Sequence, residues 1–272
     1  MYPVIFQFTI PKSLQNILPD VVSIYSYGLL IALGTVLAYT HTAYFSKKQY
    51  GVSVHKTTDL VLLLIFAAVI GGKFFFFFED PAKYLTEPKL LLQGFENGFV
   101  FFGSLLFCIP TMLWFFKQNN LPILGMLDIM ALTTCIVHVF GRMGCFFAGC
   151  CYGLPTDQPW GITFEHPQSH AQPLNTPLHP SQLYSVLVLG TLIAFLWKLK
   201  KKKAFNGQVF LLYLILYSTA RIFLEIFRGD YARGFIIEDV LTHSQLIALL
   251  VITIASAIYW QLKKKYSGAK AI

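Results

Sequence analysis

Seven apolar runs, each close to 20 residues long, recur along this chain at roughly 21–43, 58–78, 98–116, 122–140, 182–199, 207–226 and 244–262. A hydrocarbon layer about 30 Å thick takes about 20 helical residues to cross. Inside it, only helices and closed barrels satisfy every backbone N–H and C=O. Runs of this length and number therefore restrict the fold to an all-α integral membrane bundle of about seven transmembrane helices. Composition agrees: of 272 residues 56% are hydrophobic and 12% charged, where a soluble domain carries about 25% charged residues. No linker, low-complexity tract or internal repeat divides the chain, so residues 1–272 are read as one transmembrane domain.

The placement of charge orients the bundle. Lys47, Lys48, Lys56, Lys117, Lys198, Lys200 to Lys203, Lys263 to Lys265 and Lys270 gather on one side, thirteen of the 21 basic residues. Lys12, Lys83, Lys89, Arg228 and Arg233 lie on the other. The positive-inside rule then sets the N-terminus outside and the C-terminus in the cytoplasm. The segments 79–98, 141–180 and 227–243 face outward as loops. Met1 to Pro19 has no basic start followed by an apolar core and cleavage site, so no signal peptide is expected and the first helix directs insertion. The lysines directly follow apolar runs and have no interleaved aromatics on a soluble domain, which favours topology over nucleic-acid binding as their role.

Two arginines stand out against this background. Arg142 follows the run Ile123 to Phe140, and Arg221 interrupts the run Val209 to Ile226. An ionised side chain at the bilayer centre costs roughly 2.5–3.5 kcal/mol on insertion scales, so such residues face the bundle interior and have a partner or a task. Both fall in the outer half. Two cations at similar depth repel unless an anion lies between them, and a phosphate suits the guanidinium fork. Tyr217, Arg221, Glu225 and Arg228 share one helix face, and the competing reading there is a packing clasp in which Glu225 neutralises Arg221. His138 lies one turn before Arg142. It is either a satisfied core histidine or a proton-transfer group. Asp128 and Lys73 are equally open to structural roles.

Cys145, Cys150 and Cys151 form C-x4-C-C, a poor match to the paired C-x2–4-C ligands of structural zinc sites, so no metal is expected. A disulfide, small apolar packing and a nucleophilic thiol remain as readings. With no GxGxxG or P-loop, no nucleotide or other cofactor is expected either.

Several motifs together resemble the prolipoprotein diacylglyceryl transferase family. Tyr25-Ser26-Tyr27-Gly28-Leu29 is similar to its aromatic-Tyr-Gly step, and Gly71-Gly72-Lys73 to its Gly-Gly-Arg. Gly141-Arg142-Met143-Gly144, closed by Gly153, resembles its Gly-Arg-x-Gly signature. His179-Pro180-Ser181-Gln182-Leu183-Tyr184 and the stripe Arg221, Glu225, Arg228 resemble its later motifs. Order and placement on the spans carry the resemblance over most of the chain.

The resemblance implies a multi-pass enzyme of the bacterial cytoplasmic membrane. Its donor is phosphatidylglycerol and its acceptor the lipobox cysteine of preprolipoprotein signal peptides. A thioether forms and glycerol phosphate leaves. It implies catalytic work for Arg142 and Arg221; the candidates to handle the proton are His138, then His179 or Tyr27, unless a cationic pocket lowers the thiol's pKa enough for it to need little help. Substrate-binding roles fall to Arg142, Arg221, Tyr217, Glu225, Arg228, Gly153, His179, Gln182 and Lys73. Five positions depart from the family pattern. Phe102 stands where the family has a histidine, Cys145 replaces an Asn, Cys150 a Glu, Leu178 an Arg, and Ser185 a Glu. Two alternatives follow: a divergent paralogue using another lipid donor or acceptor, and a non-catalytic lipid-binding membrane protein.

Overall fold

The computed structural model describes residues 2–9, 21–78, 80–87, 90, 100–229, 235–237 and 240–268. Lys12, Glu79, Lys89, the stretch 96–99, Asp230, Arg233 and Lys270 lie outside the described residues. The helices are α1 (Ser26–Tyr50), α2 (Val54–Phe77), the short α3 (Pro81–Thr86), α4 (Phe101–Gln118), α5 (Ile123–Ala148), α6 (Ser181–Lys200), α7 (Gln208–Glu225) and α8 (His243–Gly268). All but α3 are long and apolar enough to cross a membrane, seven among the described residues. Even the 18-residue helices α4 and α7 reach about 27 Å at 1.5 Å per residue.

Three boundaries differ from the sequence expectation. Val21–Tyr25 is not helical; it is strand β2, paired antiparallel with β1 (Val4–Thr9). Ser26 begins α1, its N–H bonded to Pro3 O at 2.9 Å and its hydroxyl to Tyr2 O at 2.5 Å. The first helix also runs on to Tyr50 and stops at Gly51, whose φ of +66° suits only a residue without Cβ strain. The fourth span does not end near Phe140. It continues to Ala148, so Arg142 and Cys145 ride on a helix and not in a loop. Two further small sheets, β3 (Ile162–Thr163) with β4 (Pro177–Leu178) and β5 (Phe235–Ile237) with β6 (Leu241–Thr242), belong to the connections after α5 and α7.

Contacts group the chain into two compact units, Tyr39–Met126 and Met1–Ala38 with Leu127–Ile272. In the first, α2 and α4 meet backbone to backbone at Gly71 and Gly103. A Cβ on Gly71 would run into Gly103 O and come within 2.8 Å of Phe107 Cβ. Ser104 Oγ donates to Ala68 O at 2.8 Å and Val100 N to Gly72 O at 3.2 Å. Small residues and interhelical hydrogen bonds are how helices hold together where lipid supplies no hydrophobic drive. Lys73 and Phe102 belong to this unit; the Lys73 ammonium lies 5.5 Å from the Phe76 ring centroid, and Phe102 is half exposed.

In the larger unit α5, α6 and α7 enclose a core of Ala131, Leu132, Cys135, Leu189, Leu192, Leu196, Val209 and Tyr213. Asp128 anchors one end. Its carboxylate accepts from Lys203 Nζ at 2.9 Å, Gly207 N at 2.9 Å and Phe210 N at 3.0 Å. An anion there satisfies the orphan N–H groups that open α7 and sits at the positive end of its dipole. Asp128 is thus a structural helix cap.

Candidate functional site

Arg142 lies on α5 fourteen residues beyond Asp128, about 21 Å along the helix axis. The helix reaches that far because two glycines let α1 come close. A Cβ on Gly144 would stand 2.8 Å from Tyr27 Cδ2, and one on Gly141 would touch Ile31 Cδ1 at 3.5 Å. Tyr27, in the first turn of α1, is held against the backbone one residue before Cys145. The helix stops at Gly149, which has φ +75° and where any side chain would strike the Ser169 hydroxyl.

The cations meet here. Arg142 Nε donates to His138 Nε2 at 3.2 Å. For that bond to form Nε2 must carry a lone pair, so His138 is neutral and its acceptor nitrogen is committed to Arg142. Its ring also packs edge-on against Tyr217, centroids 5.3 Å apart. His138 therefore orients a guanidinium. Among the described residues the two terminal NH2 groups of Arg142, four N–H donors, have no protein partner.

Arg221 is more heavily engaged. Its Nη1 lies 2.6 Å from Glu225 Oε2 and its Nη2 donates to Ser244 Oγ at 3.3 Å. The Glu225 side chain is 1% exposed. The clasp is present, yet Arg221 also feels the charges of Arg142 and Arg228. Three guanidinium groups thus share one electrostatic neighbourhood with one buried carboxylate.

A backbone lattice brings the other motifs to the same place. Gly153 N donates to His179 O at 2.9 Å, His179 N to Leu154 O at 2.9 Å, Leu154 N to Phe227 O at 3.0 Å and Gly229 N to Tyr152 O at 3.2 Å. Residues 152–154 are thereby laid between the chain leading into α6 and the chain leaving α7. Gly153 is required by contact: a Cβ there would meet His179 Cβ and O at 2.5 Å and Phe227 O at 2.6 Å. His179 Nδ1 and Trp160 Nε1 both engage the Tyr184 hydroxyl, at 2.9 and 2.8 Å.

Ser181 and Gln182 open α6 and grip the cysteine turn. Ser181 Oγ donates to Cys151 O at 2.6 Å and Gln182 Nε2 to Cys150 O at 2.7 Å. Gln182 is fully buried, and its Oε1 has no hydrogen bond among the described residues.

The chain reverses after Gly149, and Cys150 N bonds back to Cys145 O at 3.1 Å. Cys151 follows at φ +57°. The three sulfurs of Cys145, Cys150 and Cys151 come within 4.8 Å of one another, none of them in a disulfide. Hydrogen bonds from the Cys145 and Cys150 thiols, then Arg228 and Arg142, hold the Cys151 thiol well below its ordinary range. Cys150, whose Sγ donates to Cys145 O at 3.8 Å, is pushed well above it by the neighbouring Cys145 and Cys151 thiols and by burial. Tyr27 lies within electrostatic reach of all three thiols and of Arg142.

The structure thus collects Arg142, Arg221, Arg228, Glu225, Tyr217, His138 and Tyr27 around one end of α5, with Gly153, His179 and Gln182 in the lattice that shapes it. Lys73 is accounted for in the other unit. Sequence reading passed over Ser181, Trp160 and Ser244 as partners. Only Ser181 carried a signal, through its place in the His-Pro-Ser-Gln motif.

The profile of the prolipoprotein diacylglyceryl transferase family matches residues 15–261. The chain is 34% identical over 236 residues to the phosphatidylglycerol-prolipoprotein diacylglyceryl transferase of Clostridium tetani, covering 87% of this chain and 92% of that one. It is 30% identical over 231 residues to phosphatidylglycerol-prolipoprotein diacylglyceryl transferase 2 of Clostridium perfringens, covering 84% and 87%. A relative of the same name from Wolbachia pipientis of Culex pipiens is 30% identical over 243 residues, 88% and 90% of the two chains.

Proposed function

The chain belongs to the prolipoprotein diacylglyceryl transferase family, and on that footing we propose that it transfers the diacylglyceryl group of phosphatidylglycerol to the lipobox cysteine thiol of a preprolipoprotein. The acceptor sulfur attacks the glyceryl CH2 carbon that bears the phosphate ester. The C–O bond breaks, a thioether forms, and glycerol phosphate leaves with the electron pair. The whole chain acts as one transferase domain in the bacterial cytoplasmic membrane, N-terminus outside and C-terminus in the cytoplasm, with the arginine cluster toward the outer leaflet.

The observation that carries this reading is Arg142. A half-buried helical arginine whose Nε is fixed by a neutral histidine, and whose four terminal N–H donors have no partner among the described residues, is suited to a bidentate grip on a phosphodiester. Arg221 adds charge beside it while its pair with Glu225 keeps it upright. Charge grows on the phosphate as the C–O bond breaks, so pre-set guanidinium groups stabilise the transition state more than the bound lipid. Tyr217 and Arg228 line the same neighbourhood. Gly153 and His179, with Gln182, hold the turn that closes it.

The test is complementation in a bacterium depleted of its own transferase, following the mass of a reporter preprolipoprotein. The diacylglyceryl mass increment is expected with this chain and not with Arg142→Ala. A reporter left unmodified while the protein is present in the membrane would overturn the proposal.

A further inference from the structure

Phe102, at the position where the resemblance places a histidine, cannot take a proton, and His138 spends its acceptor nitrogen on Arg142. Neither position then supplies a base to the acceptor thiol. The same end of α5 carries a group that the transferase reading does not use: three cysteine sulfurs drawn within 4.8 Å of one another.

Their placement is built. Gly149 and Cys151 hold positive φ values of 75° and 57° to fold the turn back on α5. Ser181 and the fully buried Gln182 clamp the carbonyls of Cys151 and Cys150. Gln182 also brings to the turn a buried acceptor oxygen that has no hydrogen bond among the described residues. A metal about 2.3 Å from each of three sulfurs needs S···S separations near 3.8 Å in a tetrahedron, within reach of this triangle by small side-chain rotations.

We infer that Cys145, Cys150 and Cys151 hold a zinc ion whose fourth position takes the acceptor thiol of the prolipoprotein and ionises it. The inference rests on the transferase reading above. Sequence spacing argued against a closed four-ligand structural site, and it still does. Three protein ligands and one exchangeable position is instead the pattern of catalytic zinc. A thiol that coordinates such an ion is deprotonated outright. Arg142 and Arg228 stand close enough to the cluster to offset part of its negative charge. A base is then no longer needed at position 102.

The step balances. The acceptor S–H proton passes to water as sulfur binds zinc. The zinc-bound thiolate attacks the glyceryl CH2 carbon and forms the C–S bond. The C–O bond breaks, and glycerol phosphate leaves as a phosphomonoester held by Arg142 and Arg221. The neutral thioether is a weak ligand and departs.

The experiment begins with the full chain purified in detergent, its native metal measured, then stripped and reloaded with Co2+. Stoichiometric zinc is expected as purified, and the cobalt form should show sulfur-to-cobalt charge-transfer absorption and tetrahedral d–d bands. A lipobox peptide should shift those bands, while the same peptide with Ser in place of Cys should not. Metal-free chain should turn over about 30-fold more slowly at pH 7, since a free thiol of pKa near 8.5 is only about 3% ionised there, and the deficit should close as pH rises past 8.5. Cys145→Ser and Cys150→Ser should reproduce both changes. Undiminished lipidation by metal-free chain would overturn the inference and leave the transferase reading standing. Copper or a Cys–Cys disulfide in place of zinc would overturn it as well. A thiol-responsive zinc site in a chain that lipidates nothing under any condition would instead sink the transferase reading.

Discussion

The two ends of helix α5 both bury charge, and they do so in opposite ways. At Asp128 one carboxylate meets one ammonium and two backbone N–H groups, all at 2.9–3.0 Å. Nothing is left over for a ligand. At Arg142 the charges of Arg221 and Arg228 share a neighbourhood with the Glu225 carboxylate, and among the described residues Arg142 itself is bonded, through Nε alone, to a neutral ring. A satisfied buried charge is part of the scaffold. A surplus of guanidinium donors is stability given up, and it is kept where an anionic substrate completes it.

The largest effect should come from removing that surplus. Arg142→Ala is expected to lower lipidation on the order of 10²–10³-fold, the scale of losing a transition-state charge donor. Thermal unfolding in detergent should scarcely change, because no carboxylate is stranded. Arg142→Lys should recover only a small part, since an ammonium cannot replace a fork. Restored activity in the Lys variant would mean that a point charge suffices.

The opposite pattern is expected at the other end. Asp128→Ala strands Lys203 and two N–H groups at the start of α7. It should cost about 3–5 kcal/mol of stability, as broken buried pairs do. Activity per folded molecule should hold. A lipidation defect in folded Asp128→Ala would dissolve the contrast between the two ends.

Arg221 stands between these cases and can be split. Arg221→Ala takes the Arg221 ion pair from a carboxylate that is 1% exposed, so it should lose both stability and activity. Adding Glu225→Gln removes the buried charge. The double variant should regain most of the stability and little of the activity. If activity returns with stability, Arg221 is only a clasp.

How far all this could be read from sequence follows from the kind of signal involved. Run length is a local property, and it located seven helices. Val21–Tyr25 was misread because its apolar residues continue the run of α1, and only pairing with Val4–Thr9 makes them a strand. The end of α5 was hidden for a related reason. Gly141 and Gly144 look like loop residues, but in the fold they are where Ile31 and Tyr27 pack against the helix. Asp128 as a cap for α7 joins positions some 80 residues apart, which no local pattern reports. The arginines were legible because a charge in an apolar run is rare. Which of them had donors to spare was not, since that depends on His138 and Glu225 folding beside them. The thiol triangle depends on two positive φ angles that C-x4-C-C does not encode.

A steric change at the lattice should be milder. Gly153→Ala forces a Cβ against His179 and the Phe227 carbonyl, and overpacking of this kind costs about 1–3 kcal/mol. Residues 152–154 are tied to both neighbouring chains, so the strain should spread to the cysteine turn. Lipidation should fall with stability and recover at lower temperature. A loss of activity that cooling does not restore would place Gly153 in contact with substrate.

The smallest effect tests the thiols themselves, in metal-stripped chain. The Cys145 and Cys150 thiols, then Arg228 and Arg142, depress the ionisation of Cys151, while Cys150 is raised. Thiolate is the reactive form, so alkylation at Cys151 should set in at lower pH than at an ordinary thiol, and alkylation at Cys150 at higher pH. The sign of the linkage follows: a depressed acid contributes stability above the unfolded thiol pKa near 8.5 and loses it as pH falls through the folded value. Ser181→Ala removes one hydrogen bond to the Cys151 carbonyl, worth about 1 kcal/mol. It should return the Cys151 alkylation profile part of the way toward an ordinary thiol. Equal profiles at Cys150 and Cys151 in the unaltered chain would mean that the three sulfurs do not act as one group, and the end of α5 would then hold only a charge surplus, with no chemistry of its own beside it.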